Sequence, residues 1–159
     1  MKKYWVKEWL FLIIRLYVGW QWLEAGYAKF ASGEWLGSGS GAALTKFLNA
    51  AILKTEGAHP DVQLWYAKFL QIAVLSHPAI WSNVVACGEL AVGVALILGA
   101  FTGLAAFFGA FMNLNYMLAG SLSINPILFT LSILMIISWK TAGLIGLDYF
   151  ILPKLYEKL

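Results

Sequence analysis

Four apolar runs constrain this chain more than any other feature, at residues 9–29, 80–98, 101–118 and 127–151. Each approaches the roughly 20 residues that a helix needs to cross about 30 Å of hydrocarbon. The pattern predicts an all-α membrane protein, an antiparallel four-transmembrane-helix bundle with an amphipathic helical outer loop. Composition points the same way. The chain is 61% hydrophobic and 12% charged, where a soluble domain carries about 25% charged residues. The short link near Gly99-Ala100 makes the second and third runs antiparallel neighbours. Lys2, Lys3 and Lys7 precede the first run and favour a cytoplasmic N-terminus. Four crossings then return Lys154 and Lys158 to the same side. The expectation is one domain over residues 1–159, multi-pass in the cell (plasma) membrane, with both termini cytoplasmic.

Residues 31–79 are too polar and too interrupted to cross. A Gly/Ser-rich loop opens the segment, followed by ALTKFLNAAILKT, which ends near Gly57 and Pro60. A second amphipathic stretch, DVQLWYAKFLQIAVLS, begins at Asp61, a fair N-cap, and stops before His77-Pro78. Such helices lie on the membrane surface or dip between helix ends as a cover. A connection this long often covers a site, and it serves equally as an interfacial scaffold with nothing beneath it.

Several function classes drop out. A formal net charge of +3 without a basic cluster or stacking platform argues against nucleic acid as a partner. The single cysteine, Cys87, excludes an internal disulfide and dithiol exchange. His59 and His77 both precede a proline in the outer segment and have no companion ligands, so the sequence supports no metal or haem site. Gly37, Gly39 and Gly41 alternate with serine and precede no strand, which marks a flexible loop rather than a nucleotide cradle. The first apolar run follows lysines as a signal peptide does, but it is long, carries a charge and lacks a clear cleavage site. It is expected to be retained.

Polar groups inside the apolar runs carry most of the functional information, because a charge at membrane depth is costly and faces the protein interior. They are Arg15 and Glu24 in the first run, Glu89 in the second, Asn113 and Asn115 in the third, and Lys140 and Asp148 in the fourth. At about 100° per residue, Arg15, Gly19, Trp22, Gly26 and Lys29 form one stripe, with Glu24 almost opposite Arg15. Asn113 shares a face with Ala106, Gly109 and Tyr116. One interpretation is an internal ion-pair network, with Arg15 on Glu89 and Lys140 on Glu24 or Glu89. The other is a polar pocket or proton route under the 31–79 cover, in which Glu89 handles protons, Arg15 or Lys140 balances the carboxylates, and Trp20, Trp22 or Tyr116 forms a wall.

The stretches RLYVGWQWLEAGYAKF at 15–30, GELAVGVALILGAFTGLAAFFGAFMNLNYMLAGS at 88–121 and SINP at 123–126 resemble the DoxX/DoxD family of small four-helix membrane proteins. Arg15, Trp22, Glu24, Gly26, Gly88, Glu89, Asn113, Asn115 and Asn125 fall on the family pattern. Within the family the chain looks closest to DoxD, the small subunit associated with thiosulfate:quinone oxidoreductase. The resemblance implies a membrane oxidoreductase subunit, quinone-linked and acting on thiosulfate or a related sulfur compound with a partner subunit. Under that implication Glu89, Arg15 and Glu24 are catalytic candidates, and Asn113, Asn115, Trp22, Tyr116 and Asn125 contact the quinone. Lys29 and Asn125 are candidates for a sulfur oxyanion at the outer mouth. The alternative is a non-enzymatic membrane assembly or anchoring subunit whose buried polar network is structural. Expected partners are membrane lipid and either a protein subunit or further copies of the chain.

Overall fold

The computed structural model describes residues 5–156. Lys2, Lys3 and Lys158 lie outside the described residues, as does the side chain of Lys154. Eight α-helices are present among the described residues: α1 (Trp5–Ser32), α2 (Ala42–Leu53), α3 (Leu64–Phe69), α4 (Pro78–Leu98), α5 (Thr102–Leu118), α6 (Asn125–Ile137), α7 (Trp139–Ala142) and α8 (Asp148–Tyr156). A π turn over Leu70–Val74 prolongs α3.

The bundle is organised by two long contacts, α1 along α4 and α5 along α6, with α4 and α5 packed side by side. Small residues make the first contact possible. A Cβ at Gly93 would lie 2.5 Å from the Leu23 backbone nitrogen, and one at Gly26 would lie 2.7 Å from the Leu90 nitrogen. Only glycine lets the two backbones approach this closely, the association mode favoured where packing rather than hydrophobic burial joins helices. Val18, Trp22, Val92, Leu96, Ala106 and Met135 fill the core between these helices. A second core, containing Leu44, Leu48, Val62, Tyr66, Leu70 and Ala119, seats α2 and α3 against the end of α5.

The four-transmembrane-helix bundle expected from the apolar runs is corrected here. Among the described residues, Pro78–Leu98 is the one helix long and apolar enough to cross a membrane. The others fall short for separate reasons. α1 has 28 residues but carries Lys7, Glu8, Arg15, Glu24 and Lys29. α5 has 17 residues. The expected fourth span, 127–151, is broken: α6 ends at Ile137 after 13 residues, and α7 and α8 follow as separate short helices. The multi-pass placement in the cell membrane with both termini cytoplasmic is corrected with it, because it rests on counting four crossings.

The break has a physical cause. The Arg15 guanidinium is 2% exposed and must find acceptors inside the protein. The end of α7 and the chain after it supply them: Arg15 Nη2 donates to the Ile145 carbonyl at 2.5 Å and Nη1 to that of Ala142 at 3.4 Å. Gly146 permits this, since a Cβ there would lie 2.5 Å from Arg15 Nη1 and 2.8 Å from the Gly99 Cα. The following residues then dock on the α4–α5 turn, with Leu147 N–H donating to Leu98 and Asp148 N–H to Gly99.

Candidate functional site

The contacts along α1 and α4 set which charges meet. Gly26 faces Leu90, Gly93 faces Leu23, Gly19 faces Leu96 and Ile97, and Arg15 lies beside Gly99. In this antiparallel register Glu89 of α4 falls opposite the C-terminal end of α1, where Lys29 stands. The Lys29 Nζ is 2.7 Å from Glu89 Oε2, with side-chain exposures of 18% and 1%. The other carboxylate oxygen, Oε1, accepts a 2.5 Å hydrogen bond from the Tyr116 hydroxyl. Lys29 also lies over two rings, 5.0 Å from the Trp35 centroid and 5.9 Å from that of Tyr116. The Trp35 carbonyl accepts hydrogen bonds from Ser40 and Ser82, which fix the loop after α1 above the ion pair.

A cavity of about 330 Å³ opens beside this cluster, bounded by Trp22, Lys29, Glu89, Tyr116, Ser123 and Asn125. Its size is within the range of small-molecule sites. The Trp22 indole N–H is buried and has no hydrogen-bond partner among the described residues. Asn125 lines the cavity while its amide donates to the Ser121 carbonyl. The site thus gathers a cation, a carboxylate, a phenol and an indole ring about one cavity, while the indole N–H itself lies toward Gly109 of α5, where a Cβ would be 3.0 Å from it.

The structure distributes the remaining sequence candidates elsewhere. Arg15 does not meet Glu89. It is fourteen residues from Lys29 on one helix, about 21 Å along the axis, and binds the carbonyls after α7. Nearby, Asp148 accepts hydrogen bonds from the Phe101 and Thr102 N–H groups at 2.5 and 2.8 Å, capping the start of α5. Glu24 is exposed, and so is Lys140, whose Nζ lies 5.5 Å from the Trp139 ring centroid. Asn113 is fully buried, with neither amide atom hydrogen-bonded among the described residues. Asn115 is committed to the cover: its Oδ1 accepts from the Tyr66 hydroxyl at 2.9 Å, and its Nδ2 donates to the Phe111 carbonyl at 2.8 Å. Burial pushes the Tyr66 phenol up to about 12. Cys87 is exposed, and no cluster of potential metal ligands occurs among the described residues.

Lys29 and Trp35 are the site residues that the ion-pair reasoning passed over. A signal for Lys29 was present in the stripe it shares with Gly19, Trp22 and Gly26, since a stripe containing two glycines marks the face that approaches a neighbouring helix.

Comparison with known families matches residues 10–121, more than two thirds of the chain, to DoxX. The match takes in the ion pair and Tyr116 and stops before Asn125. No curated protein and no solved structure matches the chain.

Proposed function

The chain belongs to the DoxX family of membrane proteins, and from that premise we propose that it is a non-catalytic membrane assembly or anchoring subunit whose buried polar network is structural. The observation that carries this is the closure of the charges on themselves. Both oxygens of Glu89 are occupied by the chain's own Lys29 and Tyr116. A buried carboxylate so paired needs no ligand to compensate its desolvation. Gly93 and Gly109 are used internally, against Leu23 and Trp22, so a partner would meet the outward face of α5. Clear of the cavity mouth at Phe108 and Phe111, it exposes Leu104, Phe107 and Leu114.

A second reading is favoured by the cavity beside the ion pair, with Lys29 and Glu89 in its wall. It is the quinone-linked oxidoreductase subunit, of the DoxD type acting with a partner on thiosulfate or a related sulfur compound. A quinone head group there would take a hydrogen bond from Lys29 and stack against the Trp22 ring. Glu89 would pass it protons on reduction, the electrons coming from the partner. Lys29 takes the place that Arg15 held in the sequence argument, and Glu24 has no part.

Purification from native membrane, followed by mass spectrometry of retained quinones and stoichiometric proteins, tests the proposal. A stoichiometric protein partner without quinone is the expected result. A quinone retained by the wild type and lost from a folded Glu89→Gln variant overturns it in favour of the oxidoreductase subunit.

A further inference from the structure

Glycine inside a helix costs about 0.5–1 kcal/mol relative to alanine, so its presence there calls for a reason. Gly19, Gly26, Gly93, Gly103 and Gly109 all have one: a Cβ at any of them would meet a neighbour at 3.0 Å or less. Gly88 differs. The nearest atom to a Cβ there is the Met112 sulfur at 3.6 Å, an ordinary contact. Close packing does not account for this glycine. What lies in front of it is a cavity of about 420 Å³, between the α2–α3 cover on one side and α4 and α5 on the other. A longer side chain at position 88 would project into that space.

The cavity walls are almost wholly hydrocarbon and aromatic, and none of the lining residues is charged. Four side chains with polar atoms line it, Tyr66, Trp81, Asn115 and Tyr116. All four are spent on bonds within the protein: Tyr66 on Asn115, Trp81 on the Ala73 carbonyl, the Asn115 amide on the Phe111 carbonyl, and Tyr116 on Glu89. A ligand with a polar head inside the cavity would therefore find no free partner. Phe69, Trp81, Val84, Phe108 and Phe111 both line the cavity and stand exposed on the outside. It thus communicates with the apolar outer face of α4 and α5, the surface that hydrocarbon wets in a membrane protein.

We propose that this cavity is a binding site for one acyl chain of a membrane lipid, inserted sideways between α4 and α5 with its head group left outside, and that Gly88 keeps the chain's path open. The site is separate from the polar cavity beside Lys29, with Tyr116 and Phe47 on the wall common to both. The proposal stands whichever function that polar cavity serves.

Titration of the purified, delipidated full chain with cis-parinaric acid tests it. The wild type binds one fluorescent chain saturably, and lysophosphatidylcholine displaces it. Gly88→Phe weakens binding by at least about tenfold, the effect of roughly two methylenes denied burial. Where Gly88→Phe does not fold, Gly88→Val carries the same comparison with less added volume. Non-saturable uptake, or equal affinity in the filled variant, overturns the site. Displacement by decylubiquinone but not by the lysolipid overturns the acyl assignment.

Discussion

At the scale of single residues, the ion pair between Lys29 and Glu89 is the most consequential contact, because Glu89 is almost fully enclosed. Removing one partner of such a pair leaves the other charge uncompensated, which costs more than the pair itself contributes. Glu89→Gln is expected to destabilise the folded chain by about 3 kcal/mol, and Tyr116→Phe by about 1.5 kcal/mol through loss of a hydrogen bond to a charged group. The double variant Lys29→Met/Glu89→Gln should recover much of the first loss. A double-mutant cycle of unfolding in detergent measures this. Strict additivity of the two single changes would show that the charges do not act on one another. Arg15 and Asp148 form a second polar centre at the C-terminal end of α4, beside the middle of α1, where the demand of one guanidinium for acceptors decides the path of the chain after α7. That demand was readable from Arg15 alone; the identity of the acceptors was not, since backbone carbonyls leave no trace in a sequence.

At the scale of helices, the glycines of α4 separate two uses of one residue type. Gly93→Ala places a Cβ 2.5 Å from the backbone of α1, where no flexible side chain can yield. It is expected to cost at least about 1–3 kcal/mol, as overpacking does. Gly88→Ala, five residues earlier on the same helix, meets nothing nearer than the Met112 sulfur at 3.6 Å. It should be neutral or stabilise by about 0.5–1 kcal/mol through reduced backbone freedom in the unfolded chain. Paired thermal melts of the two variants check the opposite signs, and a loss at Gly88 equal to that at Gly93 would contradict the open space in front of it. The start of α5 shows a related division of labour. Its N-terminal N–H groups receive no cap from their own segment, and Asp148 reaches them from a residue 46 positions away in sequence. A carboxylate at a helix N-terminus is favoured by both hydrogen bonding and the helix dipole. The sequence argument placed Asp148 within a continuous apolar span; the unmet donors of α5 and the glycines at 143 and 146 are what draw it out.

At the scale of the whole molecule, the outer surface carries large apolar groups on several helices, among them Trp9, Ile13 and Trp20 of α1 and Phe107 and Phe111 of α5. Patches of this extent are rare on soluble monomers. With family membership they lead to the expectation that the chain stays in the membrane pellet after alkaline carbonate extraction, measured by immunoblot of pellet and supernatant. Release into the supernatant would assign this surface to protein contacts instead. The sequence by itself determined that the chain is helical, that its apolar content exceeds what a soluble core absorbs, and which polar groups sit deep within apolar runs, because period and composition are local properties. It also marked α1's contact face through the stripe from Gly19 to Lys29. It did not determine where each apolar run ends as a helix, so four runs were counted as four spans while one helix qualifies among the described residues. Nor did it determine the register of α1 on α4. That register, set by where glycines let two backbones touch, gives Glu89 to Lys29 and leaves Arg15 to the carbonyls after α7. Pairing depends on axial offsets between elements distant in sequence, and only the packed structure fixes those offsets.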